Sequence, residues 1–166
     1  VKAERTWGLM GIGRAAELAW RVLIPITFRG ETVSWTARAV GPDPRRYVSA
    51  KADQEKFPAK SLLFGEDHCR HAVIVCEGPL DAIRVGPGAV ATMGMSVTRA
   101  QVERIARFPV RAITFDMEPE ARRRAAKLCR ELEALPGRTF DVSLSAKDPG
   151  EASVKEIERL RKEFLE

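Results

Sequence analysis

After His71 the sequence alternates between short strand-like segments and longer helical segments, an order that few folds accommodate. The run Ala72–Cys76 is wholly apolar, which is typical of a parallel strand covered on both faces. Periodicity predicts further strands over 89–92, 110–115 and 139–144, and helices over 79–84, 98–108, 119–135 and 153–165. Such alternation predicts an α/β fold with an open, mostly parallel sheet and helices on both of its faces.

The residues up to His71 follow a different pattern. Two runs rich in β-branched and aromatic residues, 22–28 and 32–37, flank Arg29-Gly30-Glu31 and predict an antiparallel hairpin. A helical stripe covers 15–20, whereas the turn-rich stretch 41–58 predicts a loop. We therefore predict two parts, a small basic α+β subdomain over 1–71 and an α/β domain over 72–166.

Charge and composition narrow the class of protein. The chain carries 28 Lys and Arg residues against 23 Asp and Glu, a net charge of +5, and 12 of the cations lie before residue 72. This surplus favours a polyanionic partner. No apolar run reaches the roughly 18 residues that a membrane helix needs, and the first residues lack the apolar stretch of a signal peptide. With three scattered cysteines, we expect a soluble cytoplasmic protein without disulfides.

Acidic residues follow three of the four predicted parallel strands. Glu77 follows the first strand, Asp116 and Glu118 the third, and Asp148 lies in the loop after the fourth. Parallel strands end at one edge of the sheet, so these side chains should converge there. Clustered carboxylates repel one another unless a cation neutralises them, and hard oxygen ligands favour Mg²⁺ or Mn²⁺. Such metals serve phosphoryl and nucleotidyl transfer, and Asp81, one helical turn away, would be a supporting acid.

Capping is the alternative explanation for these acids. Asp and Glu are common where a strand leads into a helix, because helix N-termini favour negative charge. Each acid taken alone is more often a cap than a ligand. Their occurrence at three strand ends, with Asp116 and Glu118 directly after an apolar strand, favours a shared metal site.

These segments resemble a known superfamily. Val73–Ala82 contains Glu-Gly-x-x-Asp after an apolar strand and resembles the first motif of TOPRIM domains, and Phe115–Glu118 resembles their Asp-x-Asp motif. Within the superfamily the sequence is most similar to the catalytic core of DnaG-type DNA primases of bacteria and phages. The segments that carry this narrower resemblance are 21–26, 37–39, 46–49, 57–65, 91–98 and 147–149, so that it spans about residues 19 to 151.

The resemblance implies a function and a set of site residues. It implies a metal-dependent nucleotidyltransferase that makes short RNA primers on a single-stranded DNA template from nucleoside triphosphates. Glu77 would be a metal ligand or the base for the primer 3′-hydroxyl, and Asp116, Glu118 and Asp148 would bind two Mg²⁺ or Mn²⁺ ions. Residues that would contact template or nucleotide come mainly from the basic part: Arg21, Arg38, Arg46, Tyr47, Lys60 and Arg122.

The sequence also departs from the family. Glu118 stands where Asp is usual, and Glu120-Ala121 replace the usual Ala-Gly. Family primases add a zinc ribbon and a part that contacts the replicative helicase, and neither is found in this sequence, so we expect a catalytic fragment whose helicase contacts would lie elsewhere. We expect Arg123 and Arg124 to face solvent.

Two other functions remain open on the sequence. The same carboxylates could serve a metal-dependent nuclease of the TOPRIM type, or the chain could be a non-catalytic nucleic-acid-binding module. A topoisomerase needs a nucleophilic tyrosine, and the sole tyrosine, Tyr47, lies in the basic loop.

Overall fold

The computed structural model describes residues 2–14, 16–94 and 96–166. The chain divides into two compact units, Val1–Ala59 and Lys60–Glu166. Composition suggested a division after His71, but in the structure residues 60–71 belong to the second unit. Leu62, Leu63 and Phe64 are buried there, and Phe64 exchanges two 3.0 Å backbone hydrogen bonds with Ala91. Burial of three consecutive apolar side chains ties this segment to the core that follows it in sequence.

The first unit is a four-stranded antiparallel sheet in the order β1-β2-β3-β4. Its elements are α1 (Lys2–Trp7), β1 (Met10–Ile12), β2 (Arg21–Phe28), β3 (Glu31–Ala39) and β4 (Tyr47–Ser49). The predicted hairpin is confirmed, and Arg29 and Gly30 turn it with φ values of 55° and 80°. Positive φ at both central residues is the geometry of a type I′ turn, whose twist matches that of the strands.

Two local predictions in this unit were wrong. A helix was expected over 15–20, but the structure has only a 3-10 turn at Ala16–Leu18, and Ala15 lies outside the described residues. The chain must reverse here to enter β2, which it does with Trp20 at φ 56° and its amide bonded to the Gly13 carbonyl. The stretch 41–58, predicted as loop, contains β4, which adds a short edge strand to β3.

The second unit is a parallel sheet in the order β6-β5-β7-β8, as the strand–helix alternation predicted. The strands are β5 (Ala72–Cys76), β6 (Ala89–Ala91), β7 (Val110–Ile113) and β8 (Arg138–Asp141), and the helices are α2 (Pro79–Val85), α3 (Arg99–Ile105), α4 (Pro119–Glu133) and α5 (Val154–Phe164). Each predicted element of this part is present. Within the described ranges, no helix combines the length and apolar character needed to cross a bilayer.

Both faces of the sheet are covered, which explains why β5 has no polar residue. Val73 and Val75 pack in one cluster with residues of α3 and α4, while α2 packs on β5 and β6, and α5 on β5 and β7. Every residue of β5 is at most 4% exposed. Burying a Val or Ile side chain stabilises a fold by roughly 1.5–3 kcal/mol, so this strand anchors the unit.

A buried glutamine fixes the loop that leaves β6. Gln101 donates from its amide nitrogen to the carbonyl oxygens of Leu62 and Thr92, both at 2.8 Å. Its side-chain oxygen accepts from the amide of Thr98, which is the N-cap of α3. All polar atoms of this buried amide are thereby used, and the start of the loop after Ala91 is held against the sheet.

Candidate active site

The carboxyl edge of the parallel sheet carries the predicted acids. Glu77 follows β5 and Asp116 follows β7, and these two strands are neighbours. The amide of Met117 donates to the carbonyl of Lys147 at 2.8 Å, which brings the loop containing Asp148 against the segment 116–118. Burial, followed by the charges of Asp148 and Glu118, raises the pKa of Asp116. The acids therefore lie within electrostatic range of one another.

Asp81 is held between two glycine backbones. Its carboxylate accepts from the amide of Gly78 at 3.2 Å and from that of Gly150 at 3.1 Å. A methyl group on Gly78 would lie 2.8 Å from Asp81 Oδ2, so the glycine of the Glu-Gly-x-x-Asp motif makes room for this contact. Burial, with the charges of Asp116 and Asp148, raises the pKa of Asp81 to about 6.

Glu77 is paired with an arginine of α4. Arg124 donates from Nη2 to both carboxylate oxygens, each at 2.8 Å. Burial nevertheless raises the pKa of Glu77, and the charges of Asp116 and Glu118 act in the same direction, whereas the Arg124 hydrogen bond and charge oppose the shift. One cation thus offsets only part of the negative charge at this edge.

The structure distinguishes caps from other acids. Asp81 caps the start of α2, whereas Asp148 accepts from the amide of Glu151 at 2.8 Å within a turn, because the N-cap of α5 is Ser153. Glu118 occupies the N-cap position of α4 but makes no capping hydrogen bond, and its carboxylate instead faces Lys147 Nζ at 3.1 Å. Glu77 caps no helix either, because Arg124 holds both of its oxygens. Helix capping therefore accounts for Asp81 alone among these acids.

Lys60 belongs to the same unit as the acids. Its Nζ would lie 2.6 Å from a methyl group on Gly94, in the loop after β6, and Gly94 has φ 140°. The backbone of that loop bonds to the acidic edge, because Met93 donates to the carbonyl of Glu77 at 3.0 Å. Burial lowers the pKa of Lys60. A cation predicted to contact nucleotide thus lies one loop from Glu77.

The three consecutive arginines of α4 have different environments. Arg122 pairs with Asp141 at the end of β8, and Arg123 is exposed. Arg124 was expected to face solvent, and this prediction was wrong, since its side chain is 24% exposed and bound to Glu77. At 100° per residue it borders the buried stripe of Ala121, Ala125 and Leu128. Reading that stripe could have identified it from the sequence.

In the antiparallel unit, two predicted binding residues stack. The guanidinium carbon of Arg38 lies 4.9 Å from the ring centre of Tyr47, and the tyrosine is 39% exposed. Arg38 and Arg46 both line an open pocket of about 460 Å³, together with Ala39, Gly41, Pro42, Asp43 and Pro44. This pocket offers two arginines and apolar surface to a ligand.

Arg21 is buried and bonded within the protein, whereas the resemblance implied that it contacts template or nucleotide. Its side chain is 1% exposed and donates to Asp43 at 2.7 Å and to the Arg45 carbonyl at 2.8 Å. The guanidinium holds the loop after β3 against β2. A nucleic acid cannot reach it without displacing that loop.

The donor set at the acidic edge suits a hard divalent cation. It consists of carboxylate oxygens, the ligands that Mg²⁺ prefers, and Mg²⁺ is commonly held by one or two protein carboxylates with waters and phosphates completing its shell. Among the described residues, no three Asp, Glu, His or Cys side chains are grouped closely enough to hold an ion by themselves. Burial, followed by the charges of neighbouring carboxylates, raises the pKa values of Asp81 and Asp116, and a bound cation would offset the second of these effects.

Comparison with known proteins identifies the fold. No family model matches the chain, and no curated protein does. Among solved structures, the primase of Aquifex aeolicus (zinc-binding and RNA polymerase domains) superimposes with a TM-score of 0.74 over 93% of this chain at 23% identity. The primase fragment of the bacteriophage T7 primase-helicase gives 0.72 over 98% at 18%, and a DnaG primase catalytic domain bound to single-stranded DNA gives 0.70 over 94% at 19%.

The fold is that of a DnaG-type primase catalytic core. The chain spans only part of these proteins, covering 42% of the Aquifex chain, 56% of the DNA-bound DnaG domain and 68% of the T7 fragment. Both units belong to the shared primase fold, because a match over at least 93% of this chain must include most of each.

Proposed function

We propose that this chain is a nucleotidyltransferase that synthesises short RNA primers on single-stranded DNA with the help of Mg²⁺ or Mn²⁺. One observation carries the proposal. On a primase fold, Glu77 and Asp116 follow adjacent parallel strands, both are partly buried, and burial and mutual repulsion raise both pKa values. Carboxylates with raised pKa values at the ligand-binding edge of a parallel sheet are typical of a functional site.

Asp116, Glu118 and Asp148 would hold the divalent ions, with Glu77 as a further ligand. Such ions would supply positive charge for the triphosphate of the nucleotide and for the pyrophosphate that leaves. The pairing of Glu118 with Lys147 supports this assignment, because an exposed ion pair of this kind is weak and easily exchanged for a stronger cation.

Glu77 would take the proton from the primer 3′-hydroxyl. A general base works best when its pKa lies closer to the operating pH than that of a free carboxylate, and burial shifts Glu77 in this direction. Lys60, beside the loop after β6, would bind a phosphate of the incoming nucleotide. Arg122, paired with Asp141 of β8, would contact template or nucleotide from the other side of the acids.

The arginines of the antiparallel unit would bind the template. Arg38 stacked on Tyr47 offers a cation for a phosphate and an exposed ring for a base, and Arg46 adds a second cation at the same pocket. The DnaG domain solved with single-stranded DNA supports this ligand class. The T7 relative is a primase-helicase, so we also propose a helicase partner that is contacted through regions outside this chain.

The test is incubation with single-stranded DNA, labelled ribonucleotides and Mg²⁺ or Mn²⁺. We expect the parent chain to make oligoribonucleotide products and Asp116→Asn to make none. Shortened DNA would indicate a nuclease, and DNA binding without any product would indicate a non-catalytic binding module. Either of these two results contradicts the proposal.

A further inference from the structure

The contact between Arg124 and Glu77 joins two segments that are far apart in sequence. Arg124 lies in the second turn of α4, after β7, and Glu77 follows β5. Both oxygens of Glu77 accept from the same nitrogen, Nη2, at 2.8 Å each. The two side chains are 24% and 16% exposed, so water screens the pair only partly.

Only one nitrogen of the Arg124 guanidinium donates to Glu77. A side-on pair between arginine and a carboxylate uses two nitrogens, one for each oxygen. Here one nitrogen serves both oxygens, and Nε of Arg124 is buried without a hydrogen-bond partner in the described part of the chain. The pair therefore engages both oxygens of Glu77 but leaves Nε of Arg124 unsatisfied, so it is weaker than a side-on pair that uses two nitrogens.

We propose that Arg124 is a built-in counter-ion that competes with the divalent cation for Glu77 and so lowers the metal affinity of the site. The inference rests on the proposed function, in which Glu77 is a metal ligand. Arg124 Nη2 lies between the two oxygens of Glu77, so a metal that binds this carboxylate through both oxygens would take the place of the arginine nitrogen. A guanidinium that stays nearby also repels the incoming cation.

The same helix supplies a matched control. Arg123 carries the same charge one residue away, but it is exposed and on the opposite side of α4 from the buried stripe. Removing Arg123 changes the net charge of the unit without freeing Glu77. A difference between the two positions therefore reports the specific contact and not the general electrostatic potential.

The experiment is Mn²⁺ titration by calorimetry of the parent chain, Arg124→Gln and Arg123→Gln. Glutamine keeps much of the side-chain length and removes the charge. We expect Arg124→Gln to bind Mn²⁺ about tenfold more tightly, which corresponds to about 1.4 kcal/mol, and Arg123→Gln to stay within about twofold of the parent. Arg124→Lys, which restores the charge, should return affinity toward the parent value, and Arg124→Met repeats the test if the glutamine variant does not fold.

A second arm tests whether the effect passes through Glu77. In a Glu77→Gln background, Arg124→Gln should raise Mn²⁺ affinity by less than it does in the parent, because only the direct repulsion between the guanidinium and the cation remains to be relieved. An equal gain in both backgrounds would show that Arg124 does not act through Glu77. The rise in melting temperature on adding Mn²⁺ should be larger for Arg124→Gln than for the parent.

The outcomes separate the two proposals. Equal or weaker Mn²⁺ binding by Arg124→Gln, with the parent binding Mn²⁺, overturns the counter-ion role and leaves the metal-dependent function standing. Absence of Mn²⁺ binding in both the parent and Arg124→Gln overturns the metal-dependent function, and the counter-ion role with it.

Discussion

The buried arginine of the antiparallel unit and the acidic edge of the parallel unit are balanced differently. In the antiparallel unit, the buried Arg21 is matched by Asp43 at 2.7 Å and by a backbone carbonyl. In the parallel unit, Asp81 and Asp116 face other carboxylates, and their pKa values are raised. Folding alone favours the first arrangement, since unpaired like charges destabilise a fold. This difference supports the proposal that the acidic edge binds a cationic ligand, whereas the Arg21 pair contributes to stability.

The largest effect is expected at Glu77. Glu77→Gln keeps the shape of the side chain but can neither accept a proton nor bind a metal well, so nucleotide addition should fall by roughly 10²–10⁴-fold. Single-stranded DNA affinity should stay level or rise, because a negative charge near the phosphates is lost. Primer synthesis and DNA binding are measured on one preparation.

Glu158→Gln, an exposed site on α5, is the control for this substitution. Near-normal turnover in Glu77→Gln would remove Glu77 from the catalytic residues. A loss of turnover accompanied by a large fall in melting temperature would make Glu77 a structural residue like Arg21.

A substitution at Arg21 tests whether this buried arginine contributes to stability and not to binding. Arg21→Met removes the buried ion pair and leaves Asp43 without its partner, so stability should fall by about 2 kcal/mol. Mn²⁺ affinity should not change. Chemical denaturation and calorimetry measure the two quantities, and a variant as stable as the parent but impaired in DNA binding would make Arg21 a binding residue after all.

The pH dependence of stability tests whether the Asp81 carboxylate is destabilising when it is charged. Its pKa rises from 3.8 to about 6 on folding, so the folded state binds the proton more tightly. The stabilisation is complete below pH about 4 and is lost as the pH rises through about 6. Asp81→Asn should remove this pH-dependent loss, but its single side-chain oxygen can accept from only one of the two glycine amides. The stability of the EDTA-treated protein at pH 7 should therefore rise by at most about 1 kcal/mol.

Thermal melts between pH 4 and 7.5 measure this effect, with Asp53→Asn, at an exposed position of the first unit, as the control. A parallel pH dependence of Asp81→Asn and the parent would mean that the carboxylate carries no unfavourable charge.

The smallest effect is expected at Arg38. Arg38→Ala should weaken single-stranded DNA binding by about fivefold and reduce the salt slope by about one, the value for one phosphate contact. Arg5→Ala, exposed on α1, is the matched control. Equal losses at Arg5 and Arg38 would indicate diffuse attraction by the basic unit and no defined groove.

The parallel unit was largely predictable from the sequence, because its signals are local and mutually consistent. Apolar β5, proline at the start of α2 and α4, and the Thr98 cap each specify an element at its own position. The Glu-Gly-x-x-Asp spacing also has a local cause, since Asp81 reaches back to the amide of Gly78.

What the sequence did not reveal depends on contacts between distant segments. Residues 60–71 are polar in composition, yet Leu62–Phe64 join the core of the second unit through Ala91. The segment 15–20 has a helical stripe, but the reversal at Trp20 overrides it. Arg124 and Glu77 are 47 positions apart, so their pairing emerges only when β5 and β7 lie side by side.

Mn²⁺ calorimetry on Asp116→Asn shows whether the acidic edge holds a divalent cation, as we propose. We expect affinity to fall at least about tenfold, while the EDTA-treated variant is at least as stable as the parent, because removing one clustered charge relieves repulsion. Unchanged Mn²⁺ affinity together with a loss of stability would contradict the claim and make Asp116 a structural residue.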